Sequence, residues 1–268
     1  MTSPVELVNQ VLAREKHQSV DVLGVRVDDV TLSEALPLLE AMVLDGKAHQ
    51  VVTVNSEFIM TAQTNPAFRE VLNNASLALP DSMGVVWASR LLGHALTERV
   101  AGVETVEHLV RIAQRKKMRV FLLGAAPGVA ELAAARLRER LPGLVMAGTY
   151  SGSPRPEEDL EICSLIEAAD PQILLVAYGA PNQDLWIARN LHRFTPPIVA
   201  VGVGGTLDYI AGVAVRAPRW VQEVGLEWLH RLIREPHRWR RMLALPRFCL
   251  AVFLQRMKKD WSPKNGAR

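Results

Sequence analysis

The stretch Gln172-Ile-Leu-Leu-Val-Ala177 runs without a break into Tyr178-Gly-Ala-Pro-Asn-Gln183 and then into helical spacing over residues 181–192. A short run that is nearly all apolar reads as a strand covered on both faces. The Gly, Pro and amide residues that follow read as a loop at the strand's carboxyl end, with Pro181 opening a helix. The same strand–loop–helix order recurs on either side. Residues 118–123 (MRVFLL) lead into Gly124-Ala-Ala-Pro-Gly128 and helical spacing over 127–141, and residues 198–203 (IVAVGV) lead into Gly204-Gly205. Residues 21–27, 50–54 (QVVTV), 76–79 and 144–147 complete the expected strands, and residues 103–116 and 157–169 are further expected helices. Thr31-Leu-Ser-Glu34 has the pattern of a capping box at a helix start. Apolar strands alternating with helices predict an α/β fold, a mostly parallel Rossmann-like sheet with flanking helices.

Composition narrows the class. The 268 residues are 49% hydrophobic and 22% charged, with 17 Gly and 16 Pro, so a disordered or collagen-like chain is excluded and a sizeable core is affordable. Two cysteines, Cys163 and Cys249, make neither a disulfide framework nor a CxxC metal knuckle, and a reducing cytoplasmic setting is expected. The first residues lack a basic segment ahead of an apolar one and read as no signal peptide. No run approaches the roughly 20 apolar residues of a spanning helix. The seven histidines have no metal-ligand spacing, so no metal site is expected.

The formal charge of +3 conceals a boundary. Residues 1–215 carry 18 Lys and Arg against 24 Asp and Glu, whereas residues 216–268 carry 13 against 4 and hold four of the six tryptophans. We therefore expect an α/β core over 1–215 and a basic helical C-terminal appendage over 216–268. Arg231, Arg234, Arg238 and Arg241 recur three or four apart, with Pro236 placed to kink or restart the helix. Beyond them Leu245, Phe248 and Val252, with Met242, Phe253 and Leu254, read as one broad apolar surface. A basic amphipathic segment with Trp suits an anionic membrane surface; a packed helix or a nucleic-acid patch are the plainer alternatives.

Ligands of open α/β sheets gather at the carboxyl ends of the strands. Here those ends read Thr53-Val-Asn55, Pro80-Asp81, Gly124-Ala-Ala-Pro-Gly128, Tyr178 to Gln183, and Gly202-Val-Gly204-Gly205. Asp81 reads either as an N-cap for the helix that follows or as a general base at the lip of a pocket. Thr53 and Asn55 are pocket residues or, for Asn55, a turn former. The loops at Gly124 and Gly204 either offer backbone N–H groups and a positive helix end to a phosphate or are tight turns alone. Arg99, just before Val-Ala-Gly102, is a phosphate candidate or a solvated surface arginine.

These residues resemble the WecG/TagA/CpsF glycosyltransferases over about residues 20–257. The resemblance rests on Thr53-Val-Asn55, Leu79-Pro-Asp81-Ser-Met-Gly84, Arg99-Val-Ala-Gly102, Tyr178-Gly-Ala-Pro-Asn-Gln183 and Arg216-Ala-Pro-x-Trp220. Most characteristic is Gly225-Leu-Glu-Trp228-Leu-x-Arg231-Leu-x-x-Glu235-Pro236-x-Arg238. It implies an inverting transferase without metal or cofactor. Such an enzyme moves a sugar, N-acetylmannosamine in the best-known members, from a UDP-sugar to a polyprenyl-diphosphate-linked N-acetylglucosamine. Cell-wall teichoic acid or exopolysaccharide synthesis is the implied setting. Asp81 falls on the proposed base, with Thr53 and Asn55 beside it. Gln183 falls on a sugar-nucleotide pocket residue, with Tyr178, Gly124 and Gly204 as further substrate-binding candidates, and Arg99, Arg231, Arg238 and Arg241 fall at groups that engage diphosphate. The appendage implies peripheral docking on the inner face of the cell membrane; homo-oligomerisation is left open. Two departures, Ser82 where the family has Gly and Gly204-Gly205-Thr206-Leu207 before Asp208, fall at the donor pocket and leave another UDP-hexose as the alternative donor. A dinucleotide oxidoreductase is disfavoured by the lack of a strand–GxGxxG–helix unit. A non-catalytic membrane or nucleic-acid module leaves the polar strand ends unexplained, and no nucleic-acid partner is expected.

Overall fold

The computed structural model describes residues 18–223, 226–234, 236, 239 and 243–261. Six strands form one parallel sheet: β3 (His49–Val54), β4 (Leu77–Pro80), β5 (Arg119–Gly124), β6 (Val145–Tyr150), β7 (Ile173–Ala177) and β8 (Val199–Gly202). Their spatial order is β4-β3-β8-β7-β5-β6, so the last two strands are inserted between two earlier pairs. The expected parallel α/β architecture is what the chain adopts.

Side chains alternate across the strands into two covered faces, as the pleat demands. Val120 and Leu122 of β5 join Ile173 and Leu175 of β7 in one core. That core is covered by α1 (Leu32–Leu44), α5 (Gly102–Lys116) and α6 (Val129–Arg140). Phe121 and Leu123 join Leu174 and Val176 on the other face, under α7 (Asp159–Ala169) and α8 (Asn182–Asn190). Leu122 is fully buried, and truncating such a leucine to Ala costs about 2–5 kcal/mol. The expected capping box is present: Glu34 N–H donates to Thr31 Oγ1 and Thr31 N–H donates to Glu34 Oε2.

One expected strand is corrected. Residues 21–27 do not form a strand of the main sheet; they belong to an antiparallel hairpin, β1 (Ser19–Val22) and β2 (Val25–Asp28). The chain reverses at Leu23 and Gly24, whose φ values are 55° and 79°, between the apolar residues Val22 and Val25. Consecutive left-handed residues match the twist of a two-residue hairpin. Tertiary bonds hold this turn: Gln63 Nε2 donates to Leu23 O at 2.8 Å, and Asn73 Nδ2 donates to Gly24 O at 3.0 Å.

The hairpin covers a third core with α2 (Ser56–Thr64), α3 (Pro66–Asn74), α4 (Met83–Leu91) and α12 (Ala244–Trp261). Phe248 and Val252 of α12 lie within that core, at 3% and 2% exposure, while Leu250, Phe253, Leu254 and Met257 face outward. The apolar residues near 245–254 are therefore two faces of one helix rather than a single surface. Three further short α-helices are α9 (Thr206–Ile210), α10 (Arg219–Glu223) and α11 (Glu227–Arg234). Among the described residues no helix is long and apolar enough to cross a membrane.

Candidate active site

Asp81 follows the last residue of β4, and its backbone is tied across the strand ends: Asp81 N–H donates to Val54 O at 2.8 Å. The alternative that Asp81 caps the next helix is corrected, because Ser82 does so, its Oγ accepting from Val85 N–H at 3.3 Å. The Asp81 carboxyl turns instead toward the start of α5, where Oδ1 accepts from Gly102 N–H at 2.7 Å. Burial pushes this carboxyl up to about 7. The Gly102 N–H and the charges of Arg99 and Arg216 oppose the rise, and Glu227 adds to it.

Two cavities meet at this carboxyl. A polar cleft of about 560 Å³ lies over the strand ends, lined among others by Thr53, Tyr178, Gln183, Gly204 and Arg216. An apolar channel of about 480 Å³ runs between α4 and α12, lined by Met83, Trp87, Leu91, Leu245, Phe248 and Val252. Asn55, Asp81, Ser82, Arg99, Glu227 and Trp228 line both. The site thus has one wall suited to a polar, charged ligand and another suited to hydrocarbon, with three carboxyls, Glu57, Asp81 and Glu227, where they meet.

The cationic groups are held by α5 and by the C-terminal helices. Arg99 donates to Gln222 O and to Glu227 Oε2, both at 3.3 Å. Arg216 donates to Glu104 Oε1 at 3.1 Å, and its Nε stands 3.6 Å from Glu227 Oε1. Glu227 is the first residue of α11, where an acid is favoured by the helix dipole.

The fold brings most of the expected residues together. Thr53 packs its Cγ2 against Gly102, and Asn55 caps α2 by accepting from Phe58 N–H at 3.0 Å while lining both cavities. Gln183 is buried, its Oε1 accepting from Gly204 N–H at 2.9 Å, so it shapes the cleft through that turn. Tyr178 lines the cleft, its ring edge-on to Trp186 at 6.2 Å, and burial raises its phenol well above the ordinary range. Gly124 ends β5 behind the cleft wall; Ala125 and Ala126, just after it, line the cavity. Arg231 lies in α11 with its side chain outside the described residues, and Arg238 and Arg241 lie outside them altogether. Glu227, Arg216 and Trp228 were missed as site residues although they stand in the runs most characteristic of the resemblance. A lone acid among arginines gave no signal, because its partner Arg99 is distant in sequence. Asp184, fully buried behind Gln183 with a carboxyl pushed up to about 7 by desolvation, was also missed. Among the described residues no group of three His, Cys, Asp or Glu is placed to hold a metal ion.

The model of the glycosyl transferase WecG/TagA/CpsF family matches residues 20–262. The chain is 39% identical over 225 residues to an N-acetylglucosaminyldiphosphoundecaprenol N-acetyl-beta-D-mannosaminyltransferase of Bacillus spizizenii, covering 84% of this chain and 86% of that one. A protein of the same name from Bacillus subtilis is 35% identical over 235 residues, covering 87% and 91%. Another, from Staphylococcus aureus, is 31% identical over 241 residues, covering 89% and 94%. With the motif residues gathered around Asp81 and the match running through nearly the whole chain, this protein belongs to the WecG/TagA/CpsF family of glycosyl transferases.

Proposed function

We propose that the protein transfers N-acetylmannosamine from a UDP-sugar to N-acetylglucosamine carried on a polyprenyl diphosphate, at the cytoplasmic face of the cell membrane. The observation that carries this reading is the position of Asp81, where a polar cleft meets an apolar channel. A sugar nucleotide suits the first, and the lipid end of the acceptor suits the second. The relatives' names supply the donor sugar and the acceptor.

In this reading the Asp81 carboxylate takes the proton from the attacking acceptor hydroxyl. The hydroxyl oxygen bonds to the anomeric carbon as the bond from that carbon to the diphosphate breaks, so the configuration inverts. A carboxyl near 7 suits a base at neutral pH, being partly ionised and more basic than an ordinary aspartate. Charge on the departing UDP is met by Arg99 and Arg216, whose guanidiniums face the cleft, and we infer no requirement for a metal. Exposed Trp220, Trp228 and Ile233 on α10 and α11, with Phe253 and Met257 on α12, support docking on the anionic bilayer that carries the acceptor.

The test is UDP release from a panel of UDP-sugars with a short polyprenyl-diphosphate-GlcNAc analogue and excess chelator. Chelator-resistant release with UDP-N-acetylmannosamine is expected. Release with a different donor alone would overturn the sugar assignment, and no release with any donor would overturn the reading. Cys249 lines the channel and is exposed, whereas Cys163 is buried, so maleimide labelling of Cys249 probes the lipid path. Labelling should stop transfer to the lipid acceptor while UDP still binds.

A further inference from the structure

Glu227 is an acid in a place that, on the reading above, receives a diphosphate. It lines the polar cleft together with the two guanidiniums it faces. One carboxylate oxygen serves Arg99 at 3.3 Å and the other faces Arg216 at 3.6 Å. These separations are long for N–H to carboxylate pairs, which close to about 2.7–2.9 Å. The same chain makes tight pairs elsewhere: Arg140 meets both oxygens of Glu107 at 2.7 and 2.6 Å, and Arg189 meets both oxygens of Asp159 at 2.5 and 2.9 Å. Glu227 is thus shared between two arginines and closely bonded to neither. Its remaining stabilisation, from the start of α11, does not depend on either partner.

We propose that Glu227 is a resident counter-anion for the donor site, occupying Arg99 and Arg216 until the diphosphate of the sugar nucleotide displaces it. The inference rests on the UDP-sugar reading and adds a residue that sets donor affinity. In the empty cleft the carboxylate sits between two converging cations, and Arg216 is held from its other side by Glu104 Oε1 at 3.1 Å. When the diphosphate enters, its oxygens take over the same N–H groups, and Glu227 becomes a like charge beside it. Because Glu227 and Trp228 also line the apolar channel, the exchange of partners occurs at the wall shared by donor and acceptor sites.

The experiment measures UDP and uridine binding by calorimetry to the full chain and to Glu227→Gln, with thermal melts of both. The amide keeps the shape of the side chain and removes the competing charge. UDP should bind about two- to fivefold more tightly to Glu227→Gln, the size expected for relief of a part-exposed charge, while uridine, which lacks phosphates, binds as before. Glu227→Asp, shorter by one methylene, is the second variant and should tighten UDP by less. Equal or weaker UDP binding in both variants overturns the proposal and makes Glu227 a scaffold that orients the arginines. Equal tightening of uridine also overturns it, since the effect would not act on the phosphates. Absence of UDP binding to the unmodified chain refutes the donor reading itself, an outcome distinct from either.

Discussion

Replacing Asp81 with Asn separates the two consequences of burying a carboxyl at the meeting point of the cavities. The amide oxygen can still accept from Gly102 N–H, so the bond at 2.7 Å and the local fold should survive. The proton affinity of the buried acid is raised from 3.8 to about 7. At about 1.4 kcal/mol per decade, that makes the ionised carboxylate cost on the order of 4 kcal/mol of stability. Asp81 opens to solvent through both cavities, so we expect about 2–4 kcal/mol to be realised. The sign follows from the native state holding its proton more tightly than the unfolded chain. Below about pH 4 the acid is neutral in both states and costs nothing; the cost grows as pH rises and levels off above about 7. Urea denaturation of Asp81→Asn and the unmodified protein at pH 4, 6 and 8 should therefore diverge, with the variant more stable by about 2–4 kcal/mol at pH 8. Turnover should move the opposite way, falling by about 10²–10⁴ as the base is lost. The unmodified enzyme's rate should rise with pH through about 7. A variant that is no more stable at pH 8, or that retains near-normal turnover at saturating substrate, would refute the assignment.

Arg99→Lys removes the planar fork that reaches Gln222 O and Glu227 together; UDP affinity measured by calorimetry should weaken by about tenfold or more. Gly84→Ala would set a Cβ 2.6 Å from Ser56 Oγ, a buried hydroxyl without a hydrogen-bond partner. We expect a loss of about 1–3 kcal/mol that Ser56→Ala largely restores, read as a coupling energy in a denaturation cycle. Asp184→Asn should stabilise the protein by about 1–3 kcal/mol at pH 8 and less at pH 5, because burial holds this acid near 7 without a well-formed bond to its oxygens. An unchanged melting temperature at pH 8 would count against that.

The sheet was legible because strands buried on both faces have a strong signature, and β5, β7 and β8 are almost uniformly apolar. Gly24 was not legible as a turn because its immediate neighbours Val22, Leu23 and Val25 are apolar, and the polar residues Asp21 and Arg26 lie further out on either side. What makes it a turn is largely tertiary, the side chains of Gln63 and Asn73 reaching its carbonyls. Asp81, Thr53 and Asn55 were legible because strand ends face a common crevice in this architecture. The capping role of Ser82 removes the reading of Asp81 as a cap, and that required knowing where α4 begins. Cation pairing was least legible. Arg99 and Glu227 are separated by 128 residues, and only the folded chain brings them together.

The charge boundary at residue 216 marks a change of surface, not a break in packing. Phe248 and Val252 lie four apart on α12 and both enter the core formed by the hairpin and α2 to α4. The outward side of the same helix is apolar as well, with Leu250, Phe253 and Leu254 exposed. A helix so divided is anchored by one face and exposed on the other, and its buried face also lines the channel that reaches Asp81. The chain has few acids after residue 216, and the fold brings one of them, Glu227, to the point where that channel meets the polar cleft. Without Glu227, Arg99 would keep Gln222 O and Arg216 would keep Glu104 Oε1, but no carboxylate would stand between the two guanidiniums. With Glu227 between them, an entering ligand has to displace a carboxylate, which favours the multiple charge of a diphosphate over a single one.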